Sequence, residues 1–388
     1  MSAPYDVFVF HRSYFCGKVL AYLRYKQIPF TPIYKPLSEV GLEIARNTGL
    51  RQMPVIRTPD GTWLHDTTPM IDWFEARHPD PAIFTGDPVT DFLMRLLEDY
   101  ADEWLWRPAI LSRWESSADG AFYETLFPRE LLGGIWAAAR PLTWIAGKLV
   151  KKHQTDKFLA GDGLTRTNRA YVWSIYTDTL ARLEPVFQAR PFLLGDKPCL
   201  ADFGFFASMF WHFSNDPTPS RLMQETAPGV YEWVARMWNM TAEKAAGAHF
   251  DVVPGTAPEM WGPLLADACE AYLPYLHANA RALADGRTRF DLHVQGHVFP
   301  GVHVSPYRTW CRERLQRNLA TLPEADRARI EAILAPLGGW APLTADAHIR
   351  SDWDPEGIAP VCRPRELSRA YRLLAPFTGT NHVRTRRA

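Results

Sequence analysis

Tyr5-Asp6-Val7-Phe8-Val9-Phe10-His11-Arg12-Ser13-Tyr14-Phe15-Cys16-Gly17-Lys18-Val19-Leu20, running on to Gln27, is the stretch whose reading decides the fold. Along Tyr5–Phe10, Val7 and Val9 face one way and Phe8 and Phe10 the other. A run apolar on both faces suits a strand buried in a sheet, not one half in water. A polar loop, His11–Ser13, follows. From Cys16 onward the apolar residues Val19, Leu20 and Leu23 recur at helical spacing. A hydroxyl and a thiol therefore sit where a buried strand gives way to a helix. The unpaired N–H groups and partial positive charge of a helix N-terminus favour a thiolate or another anion there. Ser13 and Cys16 have the spacing of a Cys-x-x-Cys redox motif whose first cysteine has become serine. The plain alternative is a buried β-α unit with incidental polar residues.

The chain has 388 residues, long enough for two or three domains. With 47% hydrophobic residues and 15 tryptophans it can build a large core, which excludes a disordered protein. Lys+Arg and Asp+Glu are both 43, so composition gives no sign of a nucleic-acid partner. The five cysteines (16, 199, 269, 311, 362) are scattered without metal-ligand pairing, which suits reduced thiols in a cytoplasmic setting. Asp6 and the charges after it leave no room for a signal-peptide core. Leu131–Val150 is apolar but interrupted by Arg140-Pro141 and Lys148, and reads as a buried or surface-covering helix pair, with no membrane partner expected. Arg384, Arg386 and Arg387 read as a solvated tip of a disordered last dozen residues.

Further along, Ile28–Tyr34 reads as a second strand and Pro36–Asn47 as a helix ended by Gly49. Gln52–Ile56 and Thr62–His65 form a hairpin around Thr58-Pro59-Asp60-Gly61. Pro54 removes a ladder donor at the start of its strand, and a cis Met53–Pro54 bond is the special role expected for it. With a helix over 67–78, the order is β-α-β-α-β-β-α. A Pro-bearing connector, 79–90, marks a domain boundary. Beyond it come long helices, the first capped by Thr90 and stopping before Pro108. An insertion occupies 115–166. Cys199 and Asp202 open a further helix as half of a capping box. After Asp251 the pattern gives helices, a kink at Pro274, and a strand Arg289–Gln295 paired with Val302–Val304 across Phe299-Pro300-Gly301.

Four motifs in this order resemble the glutathione S-transferase family. They are the loop Ser13–Val19, the segment Gln52–Ile56, the pair Asp66-Thr67 within Leu64–Ile71, and the run Phe192–Phe203. The resemblance implies an α/β thioredoxin-like glutathione-binding domain over 1–80. An all-α glutathione-transferase-type domain over 90–250 follows, then a mostly helical extension with a short hairpin over 251–388. Cys199 in place of the usual Ser/Thr cap, the 115–166 insertion and the extension depart from the common pattern. The family implies dimerisation, which the extension could block.

Glutathione is the ligand this resemblance implies, with a small-molecule electrophile as second substrate. Asp66 would pair the γ-glutamyl ammonium, while the Thr67 hydroxyl and the neighbouring backbone N–H groups would hold its carboxylate. Met53, before Pro54, would bond the cysteinyl amide through its backbone. Lys35 or Arg51 would meet the glycyl carboxylate. Ser13 holds the position of the catalytic serine, Cys16 that of a resolving cysteine, and Tyr14 and His11 are the nearby alternatives. Trp104 with Arg107, or Arg113, would line the electrophile pocket. His293, His297 and His303 match no metal spacing, so no metal is expected. Three activities stay open. One is a detoxifying transferase that conjugates the thiol; another is a glutathione-dependent isomerase, ether-cleaving enzyme or reductase. The third is a non-catalytic binding or scaffold protein.

Overall fold

The computed structural model describes residues 3–50, 52–137 and 140–364; Arg51 and the expected disordered tip lie outside them. The opening stretch folds as its pattern dictates. β1 (Tyr5–Phe8) runs into α1 (Tyr14–Tyr25), whose inner side buries Val19, Leu20 and Leu23 completely. β2 (Phe30–Ile33), α2 (Leu37–Thr48), β3 (Val55–Arg57), β4 (Trp63–His65) and α3 (Thr67–Glu75) complete the β-α-β-α-β-β-α order. Gly49 ends α2 in the left-handed conformation, φ 76°. β1 pairs parallel with β2 and antiparallel with β3, and β3 with β4. This is the thioredoxin-like sheet, and its Met53–Pro54 peptide is cis.

The helical domain begins with α4 (Pro88–Glu103). Its cap is Asp87, whose side chain accepts the Thr90 amide, not Thr90 itself, which is fully buried inside the helix. Pro88 explains the shift, since proline is pre-set for the first helical position and moves the cap one residue ahead of it. The helix does stop before Pro108. It stops at Glu103 and restarts as α5 (Trp106–Glu115), because the Pro108 ring would collide with the residue-104 carbonyl of a continuous helix. The insertion forms a helix hairpin, α6 (Ser117–Ala137) and α7 (Arg140–His153), then a wide turn over Gln154–Leu159. α8 (Arg169–Ala189) and α9 (Leu200–Ser208) follow. The cap of α9 is reinforced by Asp202, which accepts the amides of Cys199 and Leu193 and the Trp233 indole N–H. α10 (Pro217–Thr226) and α11 (Pro228–Trp238) close this domain. Among the described residues no helix is long and apolar enough to cross a membrane.

The extension holds α12 (Gly262–Asp267), α13 (Leu273–Ala284), strands β5 (Arg289–Val294) and β6 (His297–His303), α14 (Pro306–Ala320), α15 (Glu324–Leu334) and α16 (Trp340–Thr344). A wide turn at Ala268–Tyr272 absorbs the missing donor of Pro274. The hairpin turns earlier than expected, at Gln295-Gly296, and Phe299-Pro300-Gly301 lies within β6 instead of forming the loop. Both turn residues have positive φ, 46° and 75°, as a two-residue turn that matches strand twist requires. α14 and α15 pack on α4. The chain then crosses back, and β7 (Val361–Cys362) pairs antiparallel with β4, giving the sheet order β2-β1-β3-β4-β7. No feature of Val361-Cys362 announces this strand, because it borrows its hydrogen-bond partners from an edge some three hundred residues away in sequence.

Candidate functional site

A cavity of about 590 Å³ opens between the sheet, the helical domain and the extension. On the sheet side it is bounded by Ser13 and Tyr14, by Met53 and Pro54, and by Asp66 and Thr67. Three separate loop-to-helix or loop-to-strand junctions deliver these residues, since the termini of neighbouring elements converge on one edge of the sheet.

Ser13 is the cap residue of α1, with extended backbone (φ −85°, ψ 128°), yet its side chain makes no capping bond to the helix. Its hydroxyl instead lies against the Cys16 thiol. Cys16 lies one turn deeper, fully buried and absent from the cavity wall, and accepts the Phe10 amide at 3.5 Å. Burial pushes its thiol up to about 12 against the opposing hydrogen bonds from Ser13 and Phe10. The resolving-cysteine role given to Cys16 therefore lacks both access and a thiolate. Tyr14 lines the cavity but donates its hydroxyl to the Ala101 carbonyl at 2.5 Å, and burial raises its pKa further. His11 is stacked on Tyr34, ring centroids 4.1 Å apart, outside the cavity wall. Lys35 is exposed and likewise off the wall.

Asp66 caps α3 with a left-handed backbone, φ 76°, unusual for a residue other than glycine. Its Oδ1 accepts the Thr68 amide at 3.3 Å, the Tyr307 hydroxyl approaches the carboxyl from the extension, and Oδ2 is sealed from solvent. Burial raises this carboxyl above its ordinary range, against Tyr307, Arg314 and Lys18, which pull it down. A buried carboxylate is costly unless its charge is matched, and a ligand ammonium would match it. Thr67 stands at the first helical position, where the backbone N–H has no partner within the helix.

The helical wall corrects the electrophile-pocket expectation. Trp104 is fully buried in the core against Tyr275 and Phe299, and Arg107 lies over the Trp104 and Tyr275 rings with its charge on Asp162. Neither reaches the cavity. The break between α4 and α5 rotates the register, so that Asp102, Glu103, Trp106 and Arg113 face it instead. Arg113 is itself bound to Asp216 at 3.1 Å and to the carbonyls of Arg12 and Trp211. Behind Asp102, fully buried Lys18 reaches Asp102 and Glu98, each at 2.5 Å. A lysine among Val19, Leu20 and Leu23 was the signal in the sequence that a buried partner exists. Glu103 is buried with Arg308 at 3.5 Å, and burial raises its carboxyl to about 7.

The extension adds His303, Ser305, Tyr307, Arg308 and Trp353 to the wall. Arg308 forks onto both oxygens of Asp162, at 2.9 and 3.2 Å, tying the extension to the insertion. Nothing local in Pro306-Tyr307-Arg308 marks these as site residues.

The family model "Glutathione S-transferase, N-terminal domain" matches residues 7–82, and "Glutathione S-transferase, C-terminal domain" matches 177–240. No curated protein matches the chain. Among solved structures, a glutathione S-transferase from Methylobacterium radiotolerans in complex with glutathione sulfonate is 16% identical. That match covers 65% of this chain and 97% of the other, at a TM-score of 0.39. For a glutathione S-transferase of Ceriporiopsis subvermispora in complex with glutathione the figures are 17%, 61%, 99% and 0.40. For the beta-etherase LigF from Sphingobium sp. strain SYK-6 they are 17%, 63%, 100% and 0.42. Residues 7–82 and 177–240 thus carry the N-terminal and C-terminal domains of the glutathione S-transferase family.

Proposed function

We propose that this protein binds glutathione in the cavity and transfers its thiol to an electrophilic small molecule. The observation that carries this reading is the buried Asp66 carboxyl at the start of α3, on the same cavity wall as Ser13. An ammonium at Asp66 and a carboxylate at the start of α3 are the two charges of a γ-glutamyl end. Met53 stands ahead of β3, outside the ladder, where an extended peptide can meet its backbone. The sulfur of a tripeptide so held lies toward Ser13, whose hydroxyl can donate to the thiolate beside the α1 N-terminus.

A free thiol is only a few per cent ionised at neutral pH, and one hydroxyl donor plus a helix N-terminus can lower its pKa by about two units. The protein would thus make the thiolate the major form of bound glutathione. Trp106, Ile110, Phe127 and Phe158 supply the apolar surface for the electrophile.

Calorimetry with glutathione, followed by a panel of electrophiles analysed by mass spectrometry, tests the proposal. Binding and an accumulating adduct support it. Turnover with glutathione returned unchanged, or released as disulfide, would replace conjugation by isomerase, ether-cleaving or reductase chemistry. Absence of binding would leave a scaffold.

A further inference from the structure

We propose that the outer face of α7 is a docking surface for an anionic lipid bilayer, a site separate from the cavity chemistry. The way α7 meets α6 fixes which side faces out. Gly147 is buried so tightly against α6 that an added Cβ would strike the Glu124 carbonyl. At about 100° per residue, Ile145, Leu149 and Lys152 lie on the side opposite Gly147, Lys148 lies beside them, and Trp144 and Lys151 lie nearer the Gly147 side. All three apolar residues reach solvent: Trp144 is 64% exposed, Ile145 48% and Leu149 61%. Three large apolar side chains within six residues, all turned to solvent, need an environment that takes them.

The charges say which. α7, RPLTWIAGKLVKKH, contains no acidic residue. Lys148, Lys151 and Lys152 face two acids: Glu124 pairs with Lys148 and Lys151, and Asp156 with Lys152. A face that binds a folded protein keeps its charges at the rim, around an apolar centre. Here Lys152 shares the arc of Ile145 and Leu149 and Lys148 borders it, so protein contact would bury two ammonium groups. At a bilayer the lysine stems lie along the apolar layer and their heads meet lipid phosphates, while the Trp144 ring suits the headgroup level. With 14 residues, about 21 Å, α7 can lie in the interface but not span it. It also runs directly into the Gln154–Leu159 turn, whose Gln154, Lys157 and Phe158 line the cavity, so a docked α7 would set that wall beside the bilayer.

Flotation of the full chain with phosphatidylcholine vesicles, with and without phosphatidylglycerol, tests this. The chain is expected to partition at least about tenfold more strongly onto the anionic vesicles and to be released at high salt. Trp144→Ser with Leu149→Ser, and separately Lys148→Gln with Lys152→Gln, should each cut partitioning about tenfold at an unchanged melting temperature. Lys152 is 75% exposed at its side chain, so Lys152→Gln alone gives a readout even if the double variants misfold. Equal partitioning onto neutral and anionic vesicles would overturn the proposal, as would no binding to either. So would self-association of the parent in the absence of lipid that Trp144→Ser with Leu149→Ser abolishes, since the face would then cover a second copy.

Discussion

Lys18 of α1 and Asp102 of α4 stand 2.5 Å apart, nitrogen to oxygen, with the lysine side chain wholly buried. Glu98, one turn earlier on α4, grips the same nitrogen, and Thr68 of α3 donates its hydroxyl to Glu98 at 2.7 Å. Burial disfavours the ammonium, but Asp102 and Glu98 overcome it and raise the Lys18 pKa. This cluster pins three helices together behind the cavity wall that Asp102 itself forms. Removing the cation leaves two buried carboxylates facing one another. Lys18→Met should therefore cost about 3–5 kcal/mol of stability, measured by denaturant unfolding. Adding Glu98→Gln and Asp102→Asn should recover most of the loss, because amides of the same shape carry no charge to desolvate. A Lys18→Met protein as stable as the parent would show that the cluster does not hold the helices.

Ser13→Ala should lower turnover about ten- to a thousandfold while glutathione binding changes little, since a bond to the thiolate acts on activation more than on ground-state binding. Cys16→Ala should be nearly silent in turnover, its thiol being buried and protonated. The redox alternative predicts the reverse, with a glutathione-sized mass increase on Cys16. Full activity in Ser13→Ala would remove the thiolate-donor role from Ser13.

Asp66→Asn should weaken glutathione binding by about 1–3 kcal/mol in calorimetry, the range for losing a hydrogen bond to a charged group. Oδ1 capping is retained by asparagine, so the melting temperature should hold. Tyr307→Phe removes a hydroxyl that acts on Asp66 from the extension and should raise the glutathione KM about two- to tenfold. Unchanged binding in both variants would reduce Asp66 to a helix cap.

Stability should fall as pH rises through the range that Glu103 governs. Its carboxyl, ordinarily 4.5, is raised by burial to about 7 in the folded state. Between these values the folded protein holds a proton that the unfolded chain has released. The contribution is thus fully present below about 4.5 and lost as pH climbs through about 7. Glu103→Gln should flatten that part of the melting-temperature profile and leave the rest; an unaltered profile would show that Arg308 already balances the charge.

Limited proteolysis should not release a stable 251–388 fragment, because the extension is held at two distant places. β7 completes the edge of β4, and Arg308 is locked onto Asp162. Truncation after residue 250 would expose that edge and strip Tyr307 and Arg308 from the cavity, so loss of glutathione binding and aggregation are expected together. A soluble truncated chain that binds glutathione as the parent does would assign the whole site to residues 1–250.

The sequence by itself determined the local elements and the chemistry of the junctions. Period-two and helical spacing place β1 and α1, Gly49 ends a helix as only a glycine does cheaply, and Ser13, Met53-Pro54 and Asp66-Thr67 stand at breaks between elements, where backbone groups are free. It did not determine which side chains look into the cavity. One proline at position 108 breaks α4 from α5 and turns Trp104 and Arg107 into the core, bringing Glu103 and Trp106 round to the site. Nor could it place Tyr307, Arg308 or the β7 strand, whose partners lie on elements far away along the chain. Such positions are decided by packing between distant segments, because their energy comes from surfaces that meet only once the fold has formed.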